Sequence, residues 1–144
     1  MILTQSSPLR NVLFLCTGNS CRSQIAEAIV NDRLSNQWKA FSAGTEPVGY
    51  VNPIALEVLE EIGITHQGWS KDVSNFKDQE FDLVITVCDS AAENCPVWLK
   101  SGKQVHLSFV DPAKFEGDDD FVLDKFRQVR DEIQLKIPHL LEKI

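Results

Sequence analysis

Short stretches rich in apolar residues alternate along the chain with longer ones in which apolar side chains return every three or four positions. The short stretches are Val12–Leu15, Trp38–Ser42 (closed by Ala43-Gly44), Leu83–Val87 and Val105–Phe109. Runs of this length suit strands buried on both faces, as in a parallel sheet. Between the first two, Ser23–Leu34 sets Ile25, Ala28, Ile29 and Leu34 on one side of a helix. Asn52 then reads as a helix N-cap with Pro53 at the first helical position. Behind them Ile54, Ala55, Val58, Leu59 and Ile62 form an apolar stripe, and Gly63 is a suitable stop. A long closing helix is predicted from near Asp120, carrying Val122, Phe126, Val129, Ile133 and Ile137, with Pro138 expected to kink or end it. The acidic run Glu116-Gly117-Asp118-Asp119-Asp120 precedes that helix, where carboxylates cap free N–H groups and complement the dipole. The alternation predicts an α/β fold with a four-stranded parallel sheet flanked by helices on both faces.

Length and charge narrow the function classes. With 144 residues the chain suits one domain, residues 1–10 forming a flexible lead-in. A net charge of −7 with no basic stripe speaks against nucleic acid and against anionic membrane surfaces as partners. The first ten residues lack the basic and apolar regions of a signal peptide, and no apolar run reaches the length of a membrane span. Four cysteines without such a signal read as reactive or free thiols in the cytoplasm, not as structural staples.

The chemistry concentrates in Cys16-Thr17-Gly18-Asn19-Ser20-Cys21-Arg22-Ser23, directly behind the first strand. A loop of this length can wrap its N–H groups around a tetrahedral oxyanion, and the following helix aims its N-terminus at the same point. Arg22 adds a planar fork for two of the anion's oxygens. The same positive field suits a thiolate at Cys16, the nucleophilic form of the side chain. Thr17, Gly18, Asn19, Ser20, Cys21, Arg22 and Ser23 are therefore the candidate anion-binding residues, and Asn19 tolerates the tight backbone such a loop requires. Cys21 reads as a small packed side chain.

A second pair of cysteines separates the possible chemistries. Cys88 closes the third strand and Cys95 follows seven residues later. The carboxyl ends of parallel strands line the ligand crevice, so Cys16 and Cys88 can share one rim. Seven helical residues span roughly 10 Å, whereas a disulfide wants Cα atoms about 5.5–6 Å apart. A Cys88–Cys95 bond would therefore require the helix-compatible segment between them to unwind, which suits a redox switch.

These residues, with Phe41-Ser42-Ala43-Gly44, Val51-Asn52-Pro53 and Asp111-Pro112, resemble the thioredoxin-coupled arsenate reductases, which share a fold with the low-molecular-weight protein tyrosine phosphatases. The resemblance runs from about Asn11 to near the C-terminus. It implies that Cys16 attacks arsenate, with phosphate or sulfate as mimics of the anion, while Arg22 holds its oxygens and Asp111 supplies a proton. Cys88 then displaces arsenite by forming Cys16–Cys88, and Cys95 moves the disulfide to Cys88–Cys95, where thioredoxin reduces it. Ser20 and Ser23 are expected to donate to the sulfur or the loop. No tightly bound organic cofactor is implied, and a monomer is expected. Some family members hold a potassium ion near the loop, and Asn19, Glu27, Ser42 and Asp72 match its ligand pattern. The competing function is hydrolysis of phosphate monoesters through Cys16, Arg22 and Asp111, for which Cys88 and Cys95 have no use. Glutaredoxin is the competing reductant. Asp111 also reads as a turn former, and His106 as a structural histidine.

Overall fold

β1 (Arg10–Cys16) forms the centre of a parallel sheet, in a computed structural model that describes residues 8–89 and 102–144. It pairs with β2 (Trp38–Gly44) on one side and β3 (Leu83–Thr86) on the other, and β4 (Lys103–His106) adds to β3, giving the order β2-β1-β3-β4. The chain passes from β1 to β2 on one side and then back past β1 to β3 on the other. The carboxyl ends of β1 and β3 thus flank the point where strand order reverses, which is where open α/β sheets hold ligands.

Alternation along β1 divides the core between the two faces. Val12 and Phe14 meet Leu83 and Ile85 beneath α1 (Arg22–Arg33), α2 (Pro53–Glu60) and α3 (Asp119–Glu142). Leu13, Leu15 and Val84 point the other way, onto Phe76 and Phe81. Phe41, Phe76 and Phe81 close that side as an edge-to-face trio with centroids 5.6–5.7 Å apart. Among the described residues, three α-helices cover one face and the 3₁₀ turn Val73–Phe76 lies on the other. Among the described residues no helix is long and apolar enough to cross a membrane.

Local chemistry sets the element ends. Asn52 caps α2 by accepting from Ile54 N, with Pro53 in the first turn. Gly63, at φ 82°, ends it with paired bonds from Gly63 N to Glu60 O and from Ile64 N to Leu59 O. Asp118 caps α3 by accepting from Phe121 N, and Asp119 and Asp120 occupy the first turn, which is the use the acidic run was expected to have.

Two predicted boundaries move by more than two residues. β4 covers Lys103–His106 and not Val105–Phe109. It is an edge strand whose Lys103, Gln104 and His106 face solvent, so no apolar run marks it. The apolar stretch after it leaves the sheet to bury Phe109 in the main core. Pro138 does not end α3, which continues to Glu142. Ile137 and Leu141 on either side of it are buried and hold the last turns against the core.

Candidate active site

The loop that follows β1 is turned so that its carbonyls face outward. Thr17 O accepts from Glu46 N, Gly18 O from Val48 N and Ser70 Oγ, Asn19 O from Gln24 Nε2, and Ser20 O from Asn52 N. Because each peptide unit is planar and trans, a carbonyl aimed outward aims the next residue's N–H inward. The N–H groups of residues 18–21 are thereby directed toward the loop's centre, and Asn19 N reaches Cys16 Sγ at 3.3 Å. The first turn of α1 adds its own donors, since Cys21 at the N-cap offers no side-chain bond to occupy them. Close approach of β2 matters as well: a Cβ on Gly44 would lie 2.3 Å from Thr17 O.

Cys16 sits at the end of β1 with its Sγ 2.9 Å from Ser23 Oγ. Ser23 Oγ accepts from Asn19 Nδ2 at 2.7 Å, which leaves its own hydrogen to point at the sulfur. Of the two serines expected near the thiolate, Ser23 is the one in contact. Ser20 instead donates to Tyr50 O at 2.8 Å and ties the loop to its outer wall. Asn19 takes the left-handed backbone conformation at φ 48°. Its Oδ1 accepts from Gln24 Nε2 and from Lys71 N, both at 3.0 Å, which fixes the strained residue from two directions.

Arg22 is buried, with Nη1 donating to Phe109 O at 3.2 Å and Nη2 lying 3.8 Å from Asp111 Oδ2. Asp111 Oδ1 accepts from Ala113 N at 3.0 Å and starts the 3₁₀ turn Pro112–Lys114. The turn-forming and site-facing readings of Asp111 are thus both realised, one on each oxygen. A cavity of about 320 Å³ opens over the loop, walled by Glu46, Val48 and Tyr50 on one side and by Asp111 on the other. Cys21 is packed into the core, and burial, with Asp111 and Cys16 nearby, pushes its thiol up to about 12. It therefore stays protonated and lacks the thiolate that nucleophilic attack requires.

Cys88 follows β3 at the same sheet edge. Val87 N donates to Leu15 O at 2.9 Å, so Cys16 and Cys88 end adjacent strands. Cys88 is fully buried and held in a disulfide. Cys95 lies outside the described residues. His106 Nδ1 meets Thr86 Oγ1 at 2.7 Å, in keeping with the structural reading of that histidine.

The four residues matched to a potassium ion are not gathered as expected. Glu27 and Ser42 meet, Ser42 Oγ donating to Glu27 Oε1 at 3.1 Å. Asp72 turns away and accepts from Ser74 N at 2.8 Å, capping the Val73–Phe76 turn. Lys71 takes the inward position, its Nζ 3.4 Å from Ser42 Oγ and 3.8 Å from Glu27 Oε1. Burial raises the Glu27 pKa against the pull of Lys71, and burial lowers that of Lys71 against the pull of Glu27.

Sequence reasoning missed Gln24, His66 and Lys71. His66 Nε2 lies 2.8 Å from Gln24 Oε1, an atom that can only accept, so the Nε2–H tautomer is present. Burial and the nearby ammonium of Lys71 lower the His66 pKa and favour that neutral ring. The ring lies over Gly68, where a Cβ would come within 2.3 Å of Nε2. The one available signal was a polar Gln24 and Glu27 among the inward positions of α1, whose residues from Arg22 to Val30 are all buried.

The sequence pattern of the low molecular weight phosphotyrosine protein phosphatase family matches residues 11–144. An arsenate reductase from Halalkalibacterium halodurans is 45% identical over 135 residues, covering 91% of this chain and 94% of its own. A thioredoxin-dependent arsenate reductase from Corynebacterium glutamicum superposes with a TM-score of 0.69 at 29% identity, over 96% of this chain and 63% of that one. A low molecular weight protein tyrosine phosphatase from T. tengcongensis superposes with a TM-score of 0.73 at 26% identity, over 94% and 99% of the two chains.

Proposed function

The chain belongs to the low molecular weight phosphotyrosine protein phosphatase family, and within it we propose an arsenate reductase that works through a relay of Cys16, Cys88 and Cys95 with thioredoxin as electron donor. The observation that carries this reading is Cys88 at the end of the strand beside Cys16, a second sulfur that ester hydrolysis does not need.

Arsenate enters the loop with its oxygens on the inward N–H groups and Arg22. The Cys16 thiolate attacks arsenic, and the displaced oxygen leaves as water once Asp111 has protonated it. Cys88, freed by reduction of its disulfide, attacks Cys16 Sγ. The As–S bond breaks, its electron pair stays on arsenic, and arsenite departs as the Cys16–Cys88 disulfide forms. Cys95 attacks Cys88 in turn and releases the Cys16 thiolate. Thioredoxin supplies two electrons to the Cys88–Cys95 disulfide by thiol–disulfide exchange. Its dithiol is thus oxidised once for each arsenate reduced.

The phosphatase reading retains one supporting observation, since loop, Arg22 and Asp111 equally suit a phosphate ester. Slow hydrolysis of aryl phosphates is expected as a side activity of the same loop.

The test is arsenate-dependent NADPH oxidation with thioredoxin and thioredoxin reductase, with a glutaredoxin–glutathione mixture in parallel. Turnover with thioredoxin alone is expected, abolished in Cys16→Ser and limited to one turnover in Cys95→Ser. Silence with both reductants, alongside hydrolysis of an aryl phosphate, would assign the protein to the phosphatases.

A further inference from the structure

A monovalent metal cation beside the loop would need a cage of oxygen donors, and the residues in place do not provide one. Asn19 Oδ1 already accepts two N–H groups, from Gln24 and Lys71, which fills its lone pairs. The Asp72 carboxylate is directed to Ser74 N, at the surface. What is left is Glu27 and Ser42: the Lys71 ammonium stands against Glu27 Oε1 and Ser42 Oγ, and His66 Nε2 lies 3.5 Å from Glu27 Oε2. Its remaining contacts are Trp69 O at 3.0 Å and the Trp69 ring, 5.2 Å from the centroid. Glu27 and Lys71 are both buried, so each needs a charge partner, and each is the other's.

We infer that the Lys71 ammonium is this protein's own cation for the site behind the nucleophile loop, so that loop geometry and oxyanion binding are independent of potassium. An ammonium carries the same single charge as the metal ion, donates to Ser42 Oγ and pairs its charge with the Glu27 carboxylate. The tether gives a second effect. The backbone N–H of Lys71 holds Asn19 Oδ1, and Asn19 in turn holds Ser23 against Cys16 Sγ. One residue thus neutralises Glu27, orients Ser42 and pins the strained corner of the loop, making Lys71 a positioning residue for the anion site. A further cation approaching Glu27 would meet the like charge of Lys71. A cavity of about 410 Å³ reaches Glu27, Asn31 and Lys71, so shortening the lysine leaves room for an ion to enter.

The experiment is thermal unfolding, with calorimetric binding of inorganic phosphate, in KCl and in NaCl at equal ionic strength. The wild type is expected to give the same Tm in both salts to within about 1 °C and the same phosphate Kd. Lys71→Met, which removes the charge without adding a ligand, is expected to lower Tm and to weaken phosphate binding by about tenfold or more, alike in both salts. Lys71→Asp is expected to be impaired in NaCl and restored saturably by KCl, a response that loss of packing alone would not produce. The inference is overturned if wild-type Tm or phosphate affinity rises saturably with potassium but not sodium. It is equally overturned if Lys71→Met folds with unchanged Tm and phosphate affinity, or if Lys71→Asp folds and responds alike to the two salts. Should Lys71→Asp not fold, the wild-type salt pair and Lys71→Met decide the matter.

Discussion

Asp111 turns one carboxylate oxygen to Ala113 N and the other toward Arg22, and one substitution separates the turn from the proton transfer proposed for it. Asparagine keeps an oxygen for Ala113 N, and so the turn, but cannot give up a proton. Asp111→Asn is therefore expected to slow arsenate turnover by about 10²–10⁴-fold while phosphate affinity stays within a few-fold. Unchanged turnover would return Asp111 to turn formation alone. At this scale the cysteine, the arginine and the turned loop between them were readable because all of them lie within Cys16–Ser23. The polar support beneath was not, because it joins residues 42 and 52 positions apart, Gln24 with His66 and Asn19 with Lys71. The misplaced Asp72 shows how small the slip was. Asp72 bridges Gly44 in extended backbone, and neighbouring residues there point to opposite sides. A shift of one position put lysine where a carboxylate was expected.

Helices and strands were legible where their signals were local: the Asn52-Pro53 start, the Gly63 stop and the stripe on α3. They were not where tertiary packing decided the outcome. β4 has no apolar run because it lies at the sheet edge, and Pro138 was read as a kink or an end because a proline cannot donate to the helical ladder. α3 passes through it all the same, which means that burial of Ile137 and Leu141 outweighs an unfavourable residue. Pro138 itself is only partly buried, so alanine there restores the missing N–H donor without opening a large void. Pro138→Ala is expected to stabilise the protein by about 1–3 kcal/mol, seen as a Tm several degrees higher. A lower Tm would mean that proline's restriction of the unfolded chain outweighs the helical bond it removes.

For the molecule as a whole, acid stability turns on how α2 is fastened to α3. Glu61, at the C-cap of α2, accepts from Arg127 Nε at 3.0 Å, Arg127 Nη2 at 2.6 Å and Arg130 Nη1 at 2.7 Å. Hydrogen bonds from Arg127, and then those from Arg130, hold its pKa down from 4.5 to about 2. A carboxylate depressed in the folded state contributes stability that is complete above 4.5 and is lost as pH falls toward 2. His66, lowered from 6.5 by burial, acts in the same sense at higher pH, because the unfolded chain protonates it first. Glu27 acts in the opposite sense, since burial raises its pKa and folding favours its neutral form. The excess of acidic side chains behind the net charge of −7 also repels less as pH falls toward the pI of about 4.9. The wild-type profile therefore mixes opposing terms, and a difference between two proteins isolates one of them. Glu61→Gln is expected to be less stable than wild type at neutral pH, with the two urea-derived stability curves converging as pH falls from 4.5 toward 2. Parallel curves through that window would show that the arginine clamp on Glu61 orders the helix junction without stabilising the fold.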